Sequence, residues 1–305
     1  MKVLCVAGLV AIGSVLAIGL SKPESLSGHE QPDSPNLPLH SQRTSPNDLE
    51  LSGDVPGSQP YTGYISYDEL LKLPQVTFTV TDDANFPGKA ELGGVPLDAL
   101  MRALGIQEKN TLVAAVCNDG YEAHYSADYR AAHHPFLITT INGSAPALVK
   151  RSGDEGSYGP YLVSHEEFVP RYQVLAHGEE AQIPNGVIEL RFLREAGFYD
   201  AIRPPGHFAS ASPQMQGYQI ARENCLRCHN AGGYGGTKAG ITWGVLGKIA
   251  RQRPGFFRAY TKDPLEESDY AEMPGFPEYD DTTLRALTAY FQTVGVAQAH
   301  MAGHK

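Results

Sequence analysis

Residues 225–229 are Cys225-Leu226-Arg227-Cys228-His229, and this stretch decides how the last third of the sequence is interpreted. Its two cysteines are spaced so that both thiols can add to the vinyl groups of one haem, while the adjacent imidazole is directed at the iron. A thioredoxin-type redox pair lacks the histidine. A structural zinc site needs two more ligands, and the sequence contains no second cysteine pair that could supply them. The stretch therefore predicts one covalent haem c, with Cys225 and Cys228 as thioether positions and His229 as an axial iron ligand.

The sequence around this motif, from about Gln214 to Thr293, resembles class I cytochromes c. Gly217 lies eight residues before Cys225, where the first helix of that family uses a glycine to let a C-terminal helix cross closely. A second helix is expected from Asp280 onward, because acids and a cap begin it. Its apolar positions share one face, at Leu284, Leu287, Phe291 and Val294. The resemblance implies that these two helices pack against each other beside the haem.

The same resemblance places the second axial iron ligand at Met273, shortly before the last helix. Thioether ligation raises the reduction potential relative to two imidazoles, which suits an acceptor of single electrons. With both axial positions filled, the iron has no room for a substrate. The alternative is that Met273 is a loop residue filling a core gap, with His300, His304 or no protein group on the iron.

The stretch Arg203-Pro204-Pro205-Gly206, which precedes this region, is typical of an interruption in regular secondary structure. Helices are expected around 242–251 and 255–260, where they would wall the haem pocket and exclude water. Trp243, the lone tryptophan, is expected to pack in the core. The region is therefore interpreted as a separate all-α domain over 210–297.

The preceding stretch, from residue 60 to residue 200, alternates short strand and helix patterns. Strands are indicated by period-two or β-rich runs at 61–65, 76–80, 111–116 and 186–193. Helices are indicated at 67–73, where Ser66 can cap, and at 96–105, which has Pro and Gly at the ends that helices prefer. These patterns predict a mixed α+β domain.

Four motifs of this domain, in order and spacing, look like the molybdopterin-binding fold of the sulfite oxidase superfamily. They are Gly63-Tyr64-Ile65, Leu71-x-Leu73-Pro74, Gly94-Val95-Pro96-Leu97 with Leu100, and a strand that ends in Asp119-Gly120-Tyr121. Catalytic members of that superfamily bind molybdenum through one cysteine thiolate, in a much longer domain. Cys117 lies away from the expected position of that ligand, so the resemblance implies the fold without bound molybdopterin. Cys117 is interpreted as a buried strand residue, with a metal ligand or a reactive thiol as alternatives.

Four histidines of this domain lie close together in sequence or beside acids, at His124, His133, His134 and His165. A structural metal site is conceivable, but no pair shows the His-x-x-x-His spacing of ligands on one helix. We therefore expect solvent-exposed or hydrogen-bonded loop histidines.

Residues 1–20 are typical of a secretory signal, with Lys2 as the only charge before an apolar run. An uncleaved membrane anchor is the alternative. No Arg-Arg pair precedes the run, so export as a folded, cofactor-loaded protein is not indicated, which agrees with a domain free of molybdopterin. Residues 21–59, rich in Ser and Pro, are predicted to form a flexible linker, although a processing remnant explains them equally well.

The whole sequence of 305 residues carries 24 basic and 34 acidic residues, a formal net charge of -10. Nucleic acid and anionic membrane surfaces require a basic face, so neither is expected as the main partner, whereas a basic redox protein is. The expected fold class is two domains, α+β of the sulfite oxidase molybdopterin-domain type over 60–200, followed by all-α of the class I cytochrome c type over 210–297.

These features predict an exported protein of the bacterial periplasm or the outer face of the cytoplasmic membrane, tethered to the membrane if the signal is uncleaved. The preferred function is electron transfer through the haem, while the N-terminal domain docks a redox partner, such as a periplasmic oxidoreductase, or scaffolds the haem domain. The alternative is a two-cofactor oxidoreductase with a molybdopterin or substrate site in the N-terminal domain. A sensor that reports through an open iron site is a third alternative.

Overall fold

One large mixed β-sheet contains most of the strands. The structure, a computed structural model, describes residues 37–53, 61–81, 83–106, 109–153 and 156–295. Within them, nine strands form this sheet: β1 (Leu49–Gly53), β2 (Tyr61–Ile65), β3 (Val76–Thr81), β4 (Lys89–Pro96), β5 (Thr111–Cys117), β6 (Glu122–Tyr125), β7 (Phe136–Ile141), β8 (Tyr161–Ser164) and β11 (Asn185–Arg194). A separate pair consists of β9 (Gln173–Val174) and β10 (His177–Gly178).

β11 is the strand around which the sheet is organised. The strand order is β2-β1-β11-β8-β7-β4-β3, and β5 pairs with β11 and β6 outside this path. β1 runs parallel to β11, while β5 and β8 are antiparallel to it. The turn after β5 lies beside the start of β11, where the Asn118 N–H donates to the Gly186 carbonyl at 2.9 Å. This turn is part of the candidate site described below.

β1 lies in the stretch that the sequence analysis assigned to a flexible linker over 21–59. Leu49 and Leu51 are fully buried, and β1 pairs with both β2 and β11. The linker prediction is therefore wrong for residues 49–53. Two alternating leucines in a polar stretch are a short signal, and their burial depends on β11, which is far away in sequence. The predicted signal at 1–20, most of the predicted linker, and the alternative ligands His300 and His304 lie outside the described residues.

Two groups of α-helices follow one another along the described residues. Those that contact the sheet are α1 (Tyr67–Lys72), α2 (Leu97–Ala103), α3 (Ala127–His133) and α4 (Glu195–Phe198). The others are α5 (Pro213–Glu223), α6 (Trp243–Gln252), α7 (Pro254–Lys262), α8 (Pro264–Glu267) and α9 (Asp281–Thr293). No helix in the described part of the chain is long and apolar enough to cross a membrane.

The local predictions for strands, helices and caps are confirmed. The strands expected at 61–65, 76–80, 111–116 and 186–193 are β2, β3, β5 and β11, with ends that differ by one residue at most. The Ser66 hydroxyl accepts from the Glu69 N–H at 3.3 Å, and the Asp280 carboxylate accepts from the Thr283 N–H at 2.8 Å. These caps satisfy backbone donors that helix starts leave unpaired.

The predicted fold class of two domains, α+β followed by all-α, is wrong. The described residues all fall in one compact unit of mixed α/β structure built on the nine-stranded sheet. One buried apolar cluster contains Leu112, Phe198 and Ile202 together with residues of α5, α6 and α9. The stretch 203–206 favoured a boundary, yet the segments on its two sides share this cluster. The domain boundaries at 60–200 and 210–297 stay predictions.

Candidate functional site

Two helices that cross closely position the cysteine motif. α5 ends at Glu223, just before Cys225, and packs against α9. At the crossing, a Cβ on Gly217 would lie 2.1 Å from the Ala286 carbonyl oxygen and 2.8 Å from the Tyr290 Cβ. Only glycine permits that approach, so the close crossing that the sequence predicted at Gly217 is confirmed. The crossing sets the direction in which the chain enters the motif.

Trp243 supports the same crossing from α6. Its indole Nε1 donates to the Tyr290 hydroxyl at 2.9 Å, and that hydroxyl donates to the Ile202 carbonyl at 2.6 Å. The indole also packs against Phe291, with ring centroids 4.9 Å apart. Trp243 is 4% exposed, so its predicted core role is confirmed.

The motif begins as one turn of 3₁₀ helix, Cys225–Arg227. The Cys225 carbonyl accepts the N–H groups of Cys228 and His229, at 3.2 and 2.9 Å. Both cysteines are free and half-buried. Burial raises the pKa of Cys225 to about 12, and it also raises the pKa of Cys228, so both thiols are protonated at neutral pH. The turn therefore presents two thiols and one imidazole next to each other.

One hydrogen bond fixes the tautomer of His229. The ring Nδ1 lies 2.6 Å from the Ile241 carbonyl oxygen, which can only accept, so Nδ1 carries the proton. The lone pair is therefore on Nε2, which is the form in which a neutral imidazole binds a metal. Burial lowers the pKa of His229, although the Ile241 bond opposes this shift. His229 is thus neutral at pH 7, with one nitrogen available for ligation.

Met273 lies half-buried in the loop between α8 and α9. The Asn224 amide donates to the Tyr279 hydroxyl at 2.7 Å, and Tyr279 stacks on Phe276 with centroids 4.9 Å apart. Because Asn224 directly precedes Cys225, this contact connects the end of the Met273 loop to the start of the motif. The role of Met273 as second axial ligand stays a prediction.

The donor set of the motif is small. Among the described residues, no group of three or more His, Cys, Asp or Glu side chains is placed to hold a bare metal ion. Two thiols next to a neutral imidazole are the groups that a covalently attached haem requires. Several large apolar side chains between His229 and Met273 in sequence are exposed, namely Tyr234, Ile241, Val245, Leu265 and Tyr270.

Arg227 and Lys238 are site residues that the sequence analysis missed. The Arg227 side chain is buried and donates to the Glu180 carboxylate at 3.3 Å. Lys238 donates to the Asp119 carboxylate at 2.7 Å. No local pattern signals these pairs, because their partners lie 47 and 119 positions away in sequence. Arg227 joins the motif to the loop after β10, and Lys238 joins the following segment to the turn after β5.

The four histidines that were expected in loops occupy different positions. His165 is a buried loop residue bonded to the Tyr129 hydroxyl at 3.1 Å, and His134 is an exposed residue after α3, as predicted. The loop prediction is wrong for His124, which lies in β6 and contacts Glu122 at 2.9 Å, and for His133, which lies in α3. Both are held by carboxylates in the interior: His124 by Glu122, two residues earlier on β6, and His133 by Glu179, which is distant in sequence.

Cys117 is the last residue of β5 and is 3% exposed. Burial, together with the nearby Asp119 carboxylate, raises the pKa of this thiol to about 12. The prediction of a buried strand residue is confirmed. A protonated, buried thiol is unsuited to act as a reactive thiolate at neutral pH.

Comparison with known proteins identifies no family. No model of a known protein family matches the sequence, and no curated protein matches it to a significant degree. What the chain does is therefore inferred from the residues described above.

Proposed function

We propose that the chain is an exported electron-transfer protein with one haem c, held by thioether bonds to Cys225 and Cys228 and by His229 and Met273 as axial ligands. The observation that carries this proposal is the 2.6 Å bond between His229 Nδ1 and the Ile241 carbonyl. It leaves a neutral imidazole with a free Nε2 next to two free thiols. The haem, when bound, supplies one-electron oxidation and reduction at its iron.

The residues of the chain have separate tasks in this proposal. Ile241 keeps the His229 ring in one tautomer and orientation. The α5–α9 crossing at Gly217 fixes where the motif starts. The exposed apolar residues between His229 and Met273 would cover the macrocycle and exclude water, which favours a stable potential. Ligation by both His229 and Met273 favours electron transfer over substrate binding.

The sheet would serve as a docking surface or scaffold for this redox centre. The net charge of -10 favours a basic redox protein as the partner. The apolar run in residues 1–20 favours export, which places the protein where c-type haem is attached in bacteria. These statements are part of the proposal and rest on the sequence.

The first test is the covalent haem itself. The full chain is produced in bacteria that export it and mature both c-type haem and molybdopterin, and its iron, molybdenum and intact mass are measured. We expect one iron per chain, no molybdenum, and a mass increase of one haem that survives denaturation. Cys225→Ser combined with Cys228→Ser should abolish the covalent haem, whereas Cys117→Ser, the matched control, should retain it.

Two results would contradict the proposal. A wild-type chain without covalent haem would remove its basis. One molybdenum per chain would instead support the two-cofactor oxidoreductase and would require a new interpretation of the sheet.

A second test addresses Met273. Met273→Leu keeps the volume of the side chain but removes the sulfur, so the haem should stay attached while the reduced iron becomes able to bind carbon monoxide. Met215→Leu, at the start of α5, is the matched control and should leave the iron closed. Unchanged spectra and no carbon monoxide binding in Met273→Leu would show that another group occupies that position.

A further inference from the structure

The segment that follows the cysteine motif is fastened to a turn of the sheet. The N–H groups of Thr237 and Lys238 donate to the Gly120 carbonyl at 2.7 and 3.1 Å. The Lys238 ammonium donates to the Asp119 carboxylate at 2.7 Å. A Cβ on Gly120, whose φ is +82°, would lie 2.9 Å from the Lys238 nitrogen, so the two backbones are in direct contact. The sheet therefore holds the segment on which the haem would sit.

Arg227 forms a second connection between the motif and the sheet region, and its positive charge is buried. Arg227 is 8% exposed, although it stands between the two cysteines of the motif. Its guanidinium donates to Glu180 at 3.3 Å, while its Nε has no hydrogen-bond partner among the described residues. An arginine stays protonated at any physiological pH, and burying its charge costs free energy. A buried positive charge is thus kept in the motif itself, paired with Glu180 in the loop between β10 and β11.

We propose that Arg227, paired with Glu180, raises the reduction potential of the haem, so that a loop of the sheet region tunes the redox centre. The physical reason is charge: oxidation adds one positive charge to the iron, and a nearby buried guanidinium opposes that addition. Glu180 acts in the opposite direction, because its carboxylate partly offsets the guanidinium. The inference rests on the proposed haem and goes beyond it, since it assigns a role to residues that do not ligate iron.

The test is a redox titration of purified holoprotein, with mediators, followed by the absorption bands of the haem. Arg227→Met should lower the reduction potential of the haem. We expect the equilibrium constant for reduction to decrease by about tenfold, which corresponds to about 59 mV for a one-electron couple. Glu180→Gln should raise the potential, by less, because Glu180 is more exposed than Arg227. Arg227→Lys keeps the charge and should restore most of the wild-type potential. If Arg227 and Glu180 only stabilised the fold, their substitutions would not shift the reduction potential in opposite directions.

The matched control is Arg285→Met, which removes an exposed arginine of α9. Arg285 pairs with Asp281 at the surface, where salt screens its charge, so its removal should change the equilibrium by less than about twofold. The Arg227→Met shift should persist at high salt.

The outcomes separate this inference from the proposed function. Absence of haem from the wild-type chain overturns the proposed function and this inference with it. A haem-loaded Arg227→Met whose potential matches that of wild type, or lies above it, overturns the inference alone. If Arg227→Met does not fold, Glu180→Gln decides: an unchanged or lower potential overturns the inference, and a higher potential supports it.

Discussion

The sheet region, residues 49–194, and the helical region, residues 213–293, differ in how they complete their interiors. In the sheet region, buried charges find partners of their own, such as Arg130 with Asp98 at 2.6 Å and His133 with Glu179 at 3.0 Å. In the helical region, the buried Arg227 has its carboxylate partner, Glu180, in the sheet region, at 3.3 Å. The sheet region thus pairs these charges internally, whereas the helical region depends on the sheet region for a partner.

The helical region also contains a close crossing of two helices. α5 and α9 approach so closely at Gly217 that no side chain fits between them, whereas strand pairing in the sheet is distributed over many residues. Substitutions should therefore act very differently in the two regions, although both belong to one compact unit.

The largest effect is expected at the crossing. Gly217→Ala would place a methyl group 2.1 Å from the Ala286 carbonyl oxygen, on backbone that cannot move without separating the helices. We expect a loss of at least about 4 kcal/mol in the free energy of unfolding, measured by urea denaturation followed by circular dichroism. Gly255→Ala is the matched control in α7, because a Cβ there would meet no described atom within 4 Å. It should be neutral or stabilise by up to about 1 kcal/mol. Equal effects of the two substitutions would show that the crossing is not the critical contact.

The next effect tests whether β1 belongs to the sheet. Leu51 is fully buried and pairs with Leu190 of β11 and Gly63 of β2. Leu51→Ala should lower the free energy of unfolding by about 3 kcal/mol, through lost burial and the cavity left behind. Leu148→Ala, at a position that is 79% exposed, should change it by less than about 0.5 kcal/mol. A small effect at Leu51 would restore the linker prediction for residues 49–53.

The third effect is a pH dependence that originates in the sheet region. Burial, with the nearby His133, lowers the pKa of His165 to about 3 in the folded protein, from 6.5. Below pH 6.5, His165 therefore binds a proton in the unfolded chain but not in the folded chain. The free energy of unfolding consequently falls as the pH decreases from 6.5 towards 3. Between pH 7 and pH 5, the wild type should lose about 2 kcal/mol more than His165→Gln.

Urea unfolding at pH 5, 6 and 7 measures this difference. His134→Gln replaces an exposed histidine of the same region and should keep the pH dependence of the wild type. A His165→Gln variant that loses as much stability as the wild type between pH 7 and pH 5 would show that His165 is protonated in the folded state.

Local structure could be predicted from the sequence because its signals are local. The strand at 76–80 has its period-two pattern within five residues, and the cap at Ser66 lies three residues from the N–H that it accepts. The glycine at 217 was predicted through a resemblance, and its crossing partner lies on the expected helix. The strand and the cap require no knowledge of distant residues, whereas the crossing at Gly217 was predicted only through the resemblance.

Long-range contacts could not be predicted in the same way. β1 becomes a strand only because β11, more than 130 residues later, offers a partner for it. The charged pairs of Arg227 and Lys238 likewise depend on where the fold places the loops that contain Glu180 and Asp119. The two-domain interpretation failed for this reason, since Leu112 and Phe198 contribute to a core whose other residues are distant in sequence. Burial and pairing of this kind are consequences of the tertiary fold.

The smallest effect tests how far the two regions behave as one. Ser126 caps α3 in the sheet region, accepting from the Tyr129 N–H at 3.1 Å, and Ser212 caps α5 in the helical region, accepting from the Met215 N–H at 3.4 Å. Replacing either serine by alanine should cost about 1 kcal/mol, and less at Ser212 because its bond is longer. Hydrogen exchange of backbone amides, measured for each variant across the described residues, reports which amides lose protection.

The shared apolar cluster determines the expected pattern. Leu112 and Phe198 pack with residues of α5 and α9, so unfolding one region exposes the core of the other. Both variants should therefore lower protection of the slowest-exchanging amides in both regions, since global unfolding is the only way to open them. If Ser212→Ala lowers protection only in residues 213–293, the helical region opens independently, and the shared cluster contributes less to stability than its burial implies.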